Sequence, residues 1–271
     1  MIWKYFRGRF YALAPIGVIY YLINVKFSQP FPRYMLPLVP LLAVAAAAAW
    51  SKIETDFFRT SLLRKTVLGV FTLSMLVPSV YGDILFLKKD TRTECLEWAQ
   101  RNISPGAVVV TANRFFSPPL LQTPAQVSQK YALLGRTEKD AVRKKRLDLS
   151  LLALQGKPTY NVYFLSLGKA RGVSPSFLFL EPRVQADPGA LEEIGADYLI
   201  LNYSERTPEA LELKKSMSAR LELAAHFSPY WDPSKKEPTD PYASTAAPHL
   251  PGELFSRKCL GPYLEVYKIK R

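Results

Sequence analysis

Three stretches of the chain carry no charged side chain: Phe10 to Val25, Tyr34 to Trp50 and Thr66 to Gly82. After Leu87 the texture changes, and polar and apolar positions intermix. A helix rises 1.5 Å per residue and about 20 residues cross a bilayer, so uncharged runs of 16 or 17 need interfacial neighbours to complete a span. The neighbours are suitable. The first run contains Tyr20 and Tyr21 and leads into Lys26 and Phe27, the second is bracketed by Tyr34 and Trp50, and the third continues through Ile84-Leu85-Phe86-Leu87 after a single Asp83. Buried core helices of a soluble protein would normally show a polar face, which these runs lack. The pattern therefore predicts three transmembrane helices within residues 1–87.

Lys and Arg set the orientation. Lys4, Arg7 and Arg9 precede the first run, and Lys52, Arg59, Arg64 and Lys65 lie between the second and third. Only Lys26 and Arg33 occupy the link between the first two, a bias of 7 against 2. By the positive-inside rule the N-terminus and the 51–65 loop face the cytoplasm, and the 26–33 link and residues 88–271 lie outside. Three successive spans also exclude a signal peptide, which has one apolar core and a small-residue cleavage site.

Residues 88–271 read as a soluble α/β domain outside the cytoplasm. Thr91-Arg92-Thr93-Glu94 has the form of a capping box, and Cys95, Leu96, Ala99 and Ile103 recur at helical spacing, predicting a helix over 91–102 that Ser104-Pro105-Gly106 ends. β-rich runs follow at Ala107–Thr111, Thr159–Leu167, Ser176–Leu180, Ala196–Asn202 and Tyr263–Ile269. Helix-like segments alternate with them at Lys139–Leu154, Pro188–Ile194 and Pro208–His226, and this alternation argues for a layered α/β fold. Ser228 to Gly252, rich in Pro, Ser, Asp and Lys, reads as a surface loop. The fold class expected is thus three transmembrane helices followed by an external α/β domain.

Composition adds exclusions. With 271 residues, 48% hydrophobic and 22% charged, the chain is neither collagen-like, disulfide-dense nor wholly disordered. Residues 1–87 hold 9 Lys and Arg against 3 Asp and Glu, and residues 88–271 hold 27 against 20, so the net charge of +13 is shared between both parts. No single basic domain carries it, and no nucleic-acid partner is expected. The cluster Arg143-Lys144-Lys145-Arg146 suits anionic headgroups or a polyanionic acceptor, or else a solvated helix face interrupted by Glu138, Asp140 and Asp148. His226 and His249 lie 23 residues apart and Cys95 and Cys259 lie 164 apart, so no zinc pattern forms from neighbours. The two cysteines could pair or stay as separate thiols. No P-loop, dinucleotide fingerprint or nucleophile elbow is present, and no cofactor is indicated. Asn102-Ile103-Ser104 and Asn202-Tyr203-Ser204 match the glycosylation pattern, which arises readily by chance.

At the outer mouth of the second span, Arg33 and Tyr34 place a planar multi-donor cation and a hydroxyl at headgroup depth. That chemistry suits either a lipid-linked phosphate or an interfacial anchor. Arg33-Tyr34-Met35-Leu36-Pro37-Leu38-Val39-Pro40-Leu41-Leu42-Ala43, a further span, Asp90-Thr91-Arg92-Thr93, Glu97-Trp98 and Ile103-Ser104-Pro105-Gly106 resemble the C-terminal part of bacterial membrane glycosyltransferases of the GT-C superfamily. The nearest branch is family 39, the dolichyl-phosphate-mannose protein mannosyltransferase-like proteins, with the lipid A aminoarabinose transferases as relatives. The resemblance runs over residues 10–112 and continues through Gly195-Ala196-Asp197-Tyr198 and Gly261-Pro262-Tyr263. It implies transfer of a sugar from a polyprenyl-phosphate donor to an acceptor outside the membrane. It also implies that Arg33 and Tyr34 hold the donor phosphate.

Such enzymes carry their acidic residue in the first external loop of a long N-terminal membrane portion. Here Glu54 and Asp56 fall on the cytoplasmic side and only Asp83 approaches the outer face. The catalytic carboxylate is therefore expected on a missing N-terminal membrane portion, and the chain alone is expected to be inactive. Two functions stand open: the C-terminal portion of a lipid-linked-sugar transferase, or a non-catalytic, membrane-tethered α/β module that binds an envelope polymer or partner protein.

Overall fold

The structure, a computed structural model, describes residues 61–112, 117–132, 134, 138–154, 156–166, 182–202, 208–235 and 251–270. The first two expected spans, Arg33, Tyr34 and the strand expected over Ser176–Leu180 lie outside the described residues. The chain divides into two compact units, 1–75 and 76–271.

Helix α1, Ser61–Leu87, contains the third uncharged run. Its 27 residues give a length of about 40 Å, beyond the roughly 30 Å of a bilayer's hydrocarbon core. Among the described residues it is the one helix long and apolar enough to cross a membrane. Leu62, Val70, Phe71, Leu73 and Leu76 are exposed along it. Pro78 lies inside the helix, a position that costs a soluble helix a hydrogen bond and that membrane helices tolerate.

Within the second unit the last turn of α1 is fixed to the sheet domain. Leu85 is fully buried and packs with Leu254 and Leu260, with Tyr81 against the same cluster. The Tyr81 hydroxyl donates to the Arg257 carbonyl at 2.8 Å and accepts from Trp231 Nε1 at 3.3 Å. The Tyr81 ring lies 5.1 Å from that of Phe255.

After α1 come α2 (Thr91–Asn102), β1 (Val108–Thr111), α3 (Pro124–Ala132), α4 (Glu138–Ala153), β2 (Asn161–Ser166), β3 (Arg183–Gln185), α5 (Pro188–Glu193), β4 (Tyr198–Asn202), α6 (Pro208–Ser216), β5 (Leu221–Phe227), α7 (Pro251–Ser256) and β6 (Leu264–Ile269). The strands form one six-stranded sheet in the order β3-β2-β1-β4-β6-β5. Its first four strands are parallel, and β6 and β5 close it antiparallel. Side chains alternate between faces along each strand. Val109, Val162, Phe164, Ile200, Leu264 and Val266 meet Cys95 and Ala99 of α2 and its C-cap residue Ile103 on one face. Val110, Leu165, Leu199, Leu201 and Tyr267 meet Leu191 of α5 and Leu213 of α6 on the other. Both faces are covered, as a parallel sheet requires.

Three sequence expectations change. The cap of α2 is Asp90, whose carboxylate accepts the Arg92 amide at 2.8 Å, while Thr91 donates its hydroxyl to the Pro262 carbonyl at 2.7 Å. The helix expected over Pro208–His226 stops at Ser216, and Leu221–Phe227 is an edge strand paired to β6, with a register shift between Leu223 and Ala225. Pairing with β6 outweighs the helical propensity of that stretch, since strand preference depends strongly on its neighbours. The stretch expected to be a surface loop begins buried, with Ser228 and Tyr230 at 4% and 1% exposure, and its last residues start α7. Both cysteines are buried free thiols.

Candidate functional site

Strand β1 has β2 on one side and β4 on the other, and the strand order reverses between β1 and β4. In open α/β sheets the carboxyl edge at such a reversal is where ligands bind. Thr111 pairs with Phe164 of β2 and Ile200 of β4. Two residues beyond those partners, on the same sheet face, stand Ser166 and Asn202. The face thus changes from Val109, Phe164 and Ile200 to Thr111, Ser166 and Asn202 as the strands end, and these three polar residues are 1%, 6% and 4% exposed.

Among the described residues the Thr111 hydroxyl and both amide atoms of Asn202 have no hydrogen-bond partner, and neither has the Ser117 hydroxyl, also 4% exposed. Buried polar groups are nearly always satisfied, and each one left unmet costs about 1 to 3 kcal/mol. A carboxamide and hydroxyls offer donors and acceptors without charge, so they suit binding a polar ligand rather than moving a proton. Asn202 was also one of the two glycosylation matches; its burial leaves no room for a glycan, whereas Asn102 is exposed and donates to the Trp98 carbonyl at 2.8 Å.

A groove of about 480 Å³ opens over β2, between α3, α4 and the segment 118–122. Val162 and Phe164 form its floor, Leu120, Val127, Leu147 and Leu154 its apolar walls, and Lys130, Arg143 and Arg146 bring positive charge. Gln126 holds one side by bonding the edge of β2: its Oε1 accepts the Val162 amide at 2.9 Å and its Nε2 donates to the Val162 carbonyl at 3.2 Å. This side chain stands where a neighbouring strand would. The Lys130 ammonium donates to Gln122 at 2.5 Å, and Arg143 donates to Asp140 at 2.8 Å while its Nε is buried without a partner among the described residues.

The strongest electrostatic features elsewhere are structural. Burial works against ionisation of Asp90, but the side-chain bond from Arg92, the Arg92 amide and the guanidinium charge outweigh it and hold the carboxyl below its ordinary value. Its contribution to stability is therefore fully present above the normal carboxylate range and is lost as pH falls through that lowered folded value. Burial pushes the Cys95 thiol up to about 12, and burial, with the nearby Glu94 carboxylate, pushes Cys259 up to about 11. Neither is an activated nucleophile. His226 lies exposed on the edge strand, its ring 6.4 Å from Tyr263. Among the described residues no group of three His, Cys, Asp or Glu side chains gathers to hold a metal. Asp83 lies exposed on α1.

Arg33 and Tyr34 are outside the described residues, so nothing here joins them to either site. The carboxyl-edge row and the groove were missed in the sequence. Their signal was a polar residue closing each parallel strand, and it becomes visible only once strand order and register are known. Neither a family model, a curated protein nor a solved structure matches the chain.

Proposed function

We propose that the chain is the C-terminal portion of a membrane glycosyltransferase that moves a sugar from a polyprenyl-phosphate donor to an acceptor outside the cytoplasm. The observation that supports this reading is α1, an apolar helix whose last turn is fixed into an α/β domain through Leu85 and Tyr81. In this reading α1 is the last of three spans of a multi-pass inner-membrane protein, with the N-terminus inside and residues 88–271 outside. Arg33 and Tyr34 hold the donor phosphate and stabilise its growing charge as the sugar leaves, which is electrostatic catalysis. The carboxylate that activates the acceptor belongs to a preceding membrane portion.

The test uses the complete enzyme. Arg33→Lys keeps the charge but loses the planar fork, and Tyr34→Phe loses only the hydroxyl. A hydrogen bond to a charged group is worth about 1.5 to 3 kcal/mol, so each change should slow transfer by roughly one to two decades at equal membrane abundance. Wild-type rates in both variants would leave the pair as a bilayer anchor.

A second reading, a membrane-tethered module that binds an envelope polymer or partner protein, is favoured by the carboxyl edge. There Thr111 and Asn202 keep neutral binding groups unspent. The coding DNA preceding Met1 separates the two: in-frame or adjacent apolar spans with an acidic external loop belong to the transferase.

A further inference from the structure

Helix α4 carries apolar side chains on two faces. Inward, Leu147 helps line the groove. Outward, Val142, Leu149 and Leu152 are 49%, 57% and 64% exposed, and with Lys145 they fall at successive spacings of three, four and three residues, which is one helical stripe. Lys144 is exposed as well, about 100° round the helix from Lys145. Of the two acids described on this helix, Asp140 is 9% exposed and bonds Arg143, and Asp148 accepts the Tyr131 hydroxyl. The outer surface is therefore both apolar and cationic.

The groove repeats that combination at one flank of the same helix. Arg143, Arg146 and Leu149 line it, and Arg143 also donates to Asp140 at 2.8 Å. Two guanidinium groups beside apolar walls suit an anion carried on an apolar body. Basic amphipathic helices of this kind lie in the interface of anionic bilayers.

We propose that α4 and its groove form an anionic-phospholipid site through which the domain lies against the bilayer. The headgroup phosphate meets Arg143 and Arg146, an acyl chain follows Leu149 into the groove, and Val142, Leu149 and Leu152 enter the interface. The inference rests on reading α1 as a membrane span. Only three residues separate Leu87 from Thr91, so that span keeps the domain at high effective concentration beside the lipid.

The test places the full chain in nanodiscs of phosphatidylcholine alone or mixed with phosphatidylglycerol, with an environment-sensitive dye on Leu152→Cys. Cys95 and Cys259 are buried, which leaves the introduced thiol as the reactive one. The expected result is a blue shift and protection from an aqueous quencher only with phosphatidylglycerol. Lys144→Gln with Lys145→Gln alters exposed side chains and leaves the packed face untouched. It should lower the docked-to-undocked ratio about fivefold per cation, and Arg143→Gln should weaken the same signal.

Equal spectra in both kinds of disc would overturn the proposal. So would a full response to short-chain phosphatidylglycerol added free to neutral discs without any response to the mixed discs, because the lipid would then not come from the bilayer. Alkaline extraction scores the anchor separately. A chain that resists extraction while its dye ignores phosphatidylglycerol loses the docking alone; a chain extracted from both discs loses the anchor and the docking together.

Discussion

The Thr111 hydroxyl is 1% exposed and meets no partner among the described residues, an arrangement that costs about 1 to 3 kcal/mol unless something else completes it. Thr111→Val keeps the branched shape and removes only the unmet hydroxyl. The variant should unfold later than the wild type, by about 1 kcal/mol or a few degrees in midpoint for a domain of this size. An earlier unfolding would mean that the hydroxyl is already bonded, and the binding reading of the carboxyl edge would go with it. At this scale the sequence was partly legible. The polar start of α2 was visible, but Asp90 and Thr91 are both good caps, and the choice between them depends on Pro262, 171 residues away, accepting the Thr91 hydroxyl. Burial of Asn202 was hidden for the same reason, since its neighbours come from strands distant in sequence.

Among the elements, α2 and the approach to β6 come closest at Gly261. The Thr91 amide donates to the Leu260 carbonyl at 3.0 Å, and Gly261 has a φ of +104°. A Cβ there would clash with the Thr91 hydroxyl and would stand 2.5 Å from the Asp90 carboxylate, which caps the helix. Gly261→Ala combines backbone strain with a clash and should destabilise the domain by about 2 to 5 kcal/mol, measured as a lowered unfolding midpoint. Unchanged stability would show that α2 is not held by this contact. Helices with strong caps or long apolar periodicity, such as α2, α4 and α5, were readable from sequence. The strand β5 was not, because its pairing partner β6 lies beyond a long intervening segment and its own composition, with two Ala and two Leu, suits a helix equally well.

For the whole molecule, hydrophobic patterning divides the chain before any contact is known. An apolar helix with exposed side chains joins a sheet domain covered on both faces, and Leu85, Tyr81 and Trp231 fix the end of that helix to the domain. In the proposed reading, lipid covers about 20 apolar residues of α1. In the same reading, the bias of seven basic residues against two puts the domain outside. Arg33 and Tyr34 can serve an external donor, and α4 can meet an outer leaflet, only with that orientation. The most direct measurement fuses a reporter active only outside the cytoplasm after Leu87 and, separately, near Thr60. The first fusion should be active and the second silent; the reverse pattern would place residues 88–271 inside and overturn the proposed orientation.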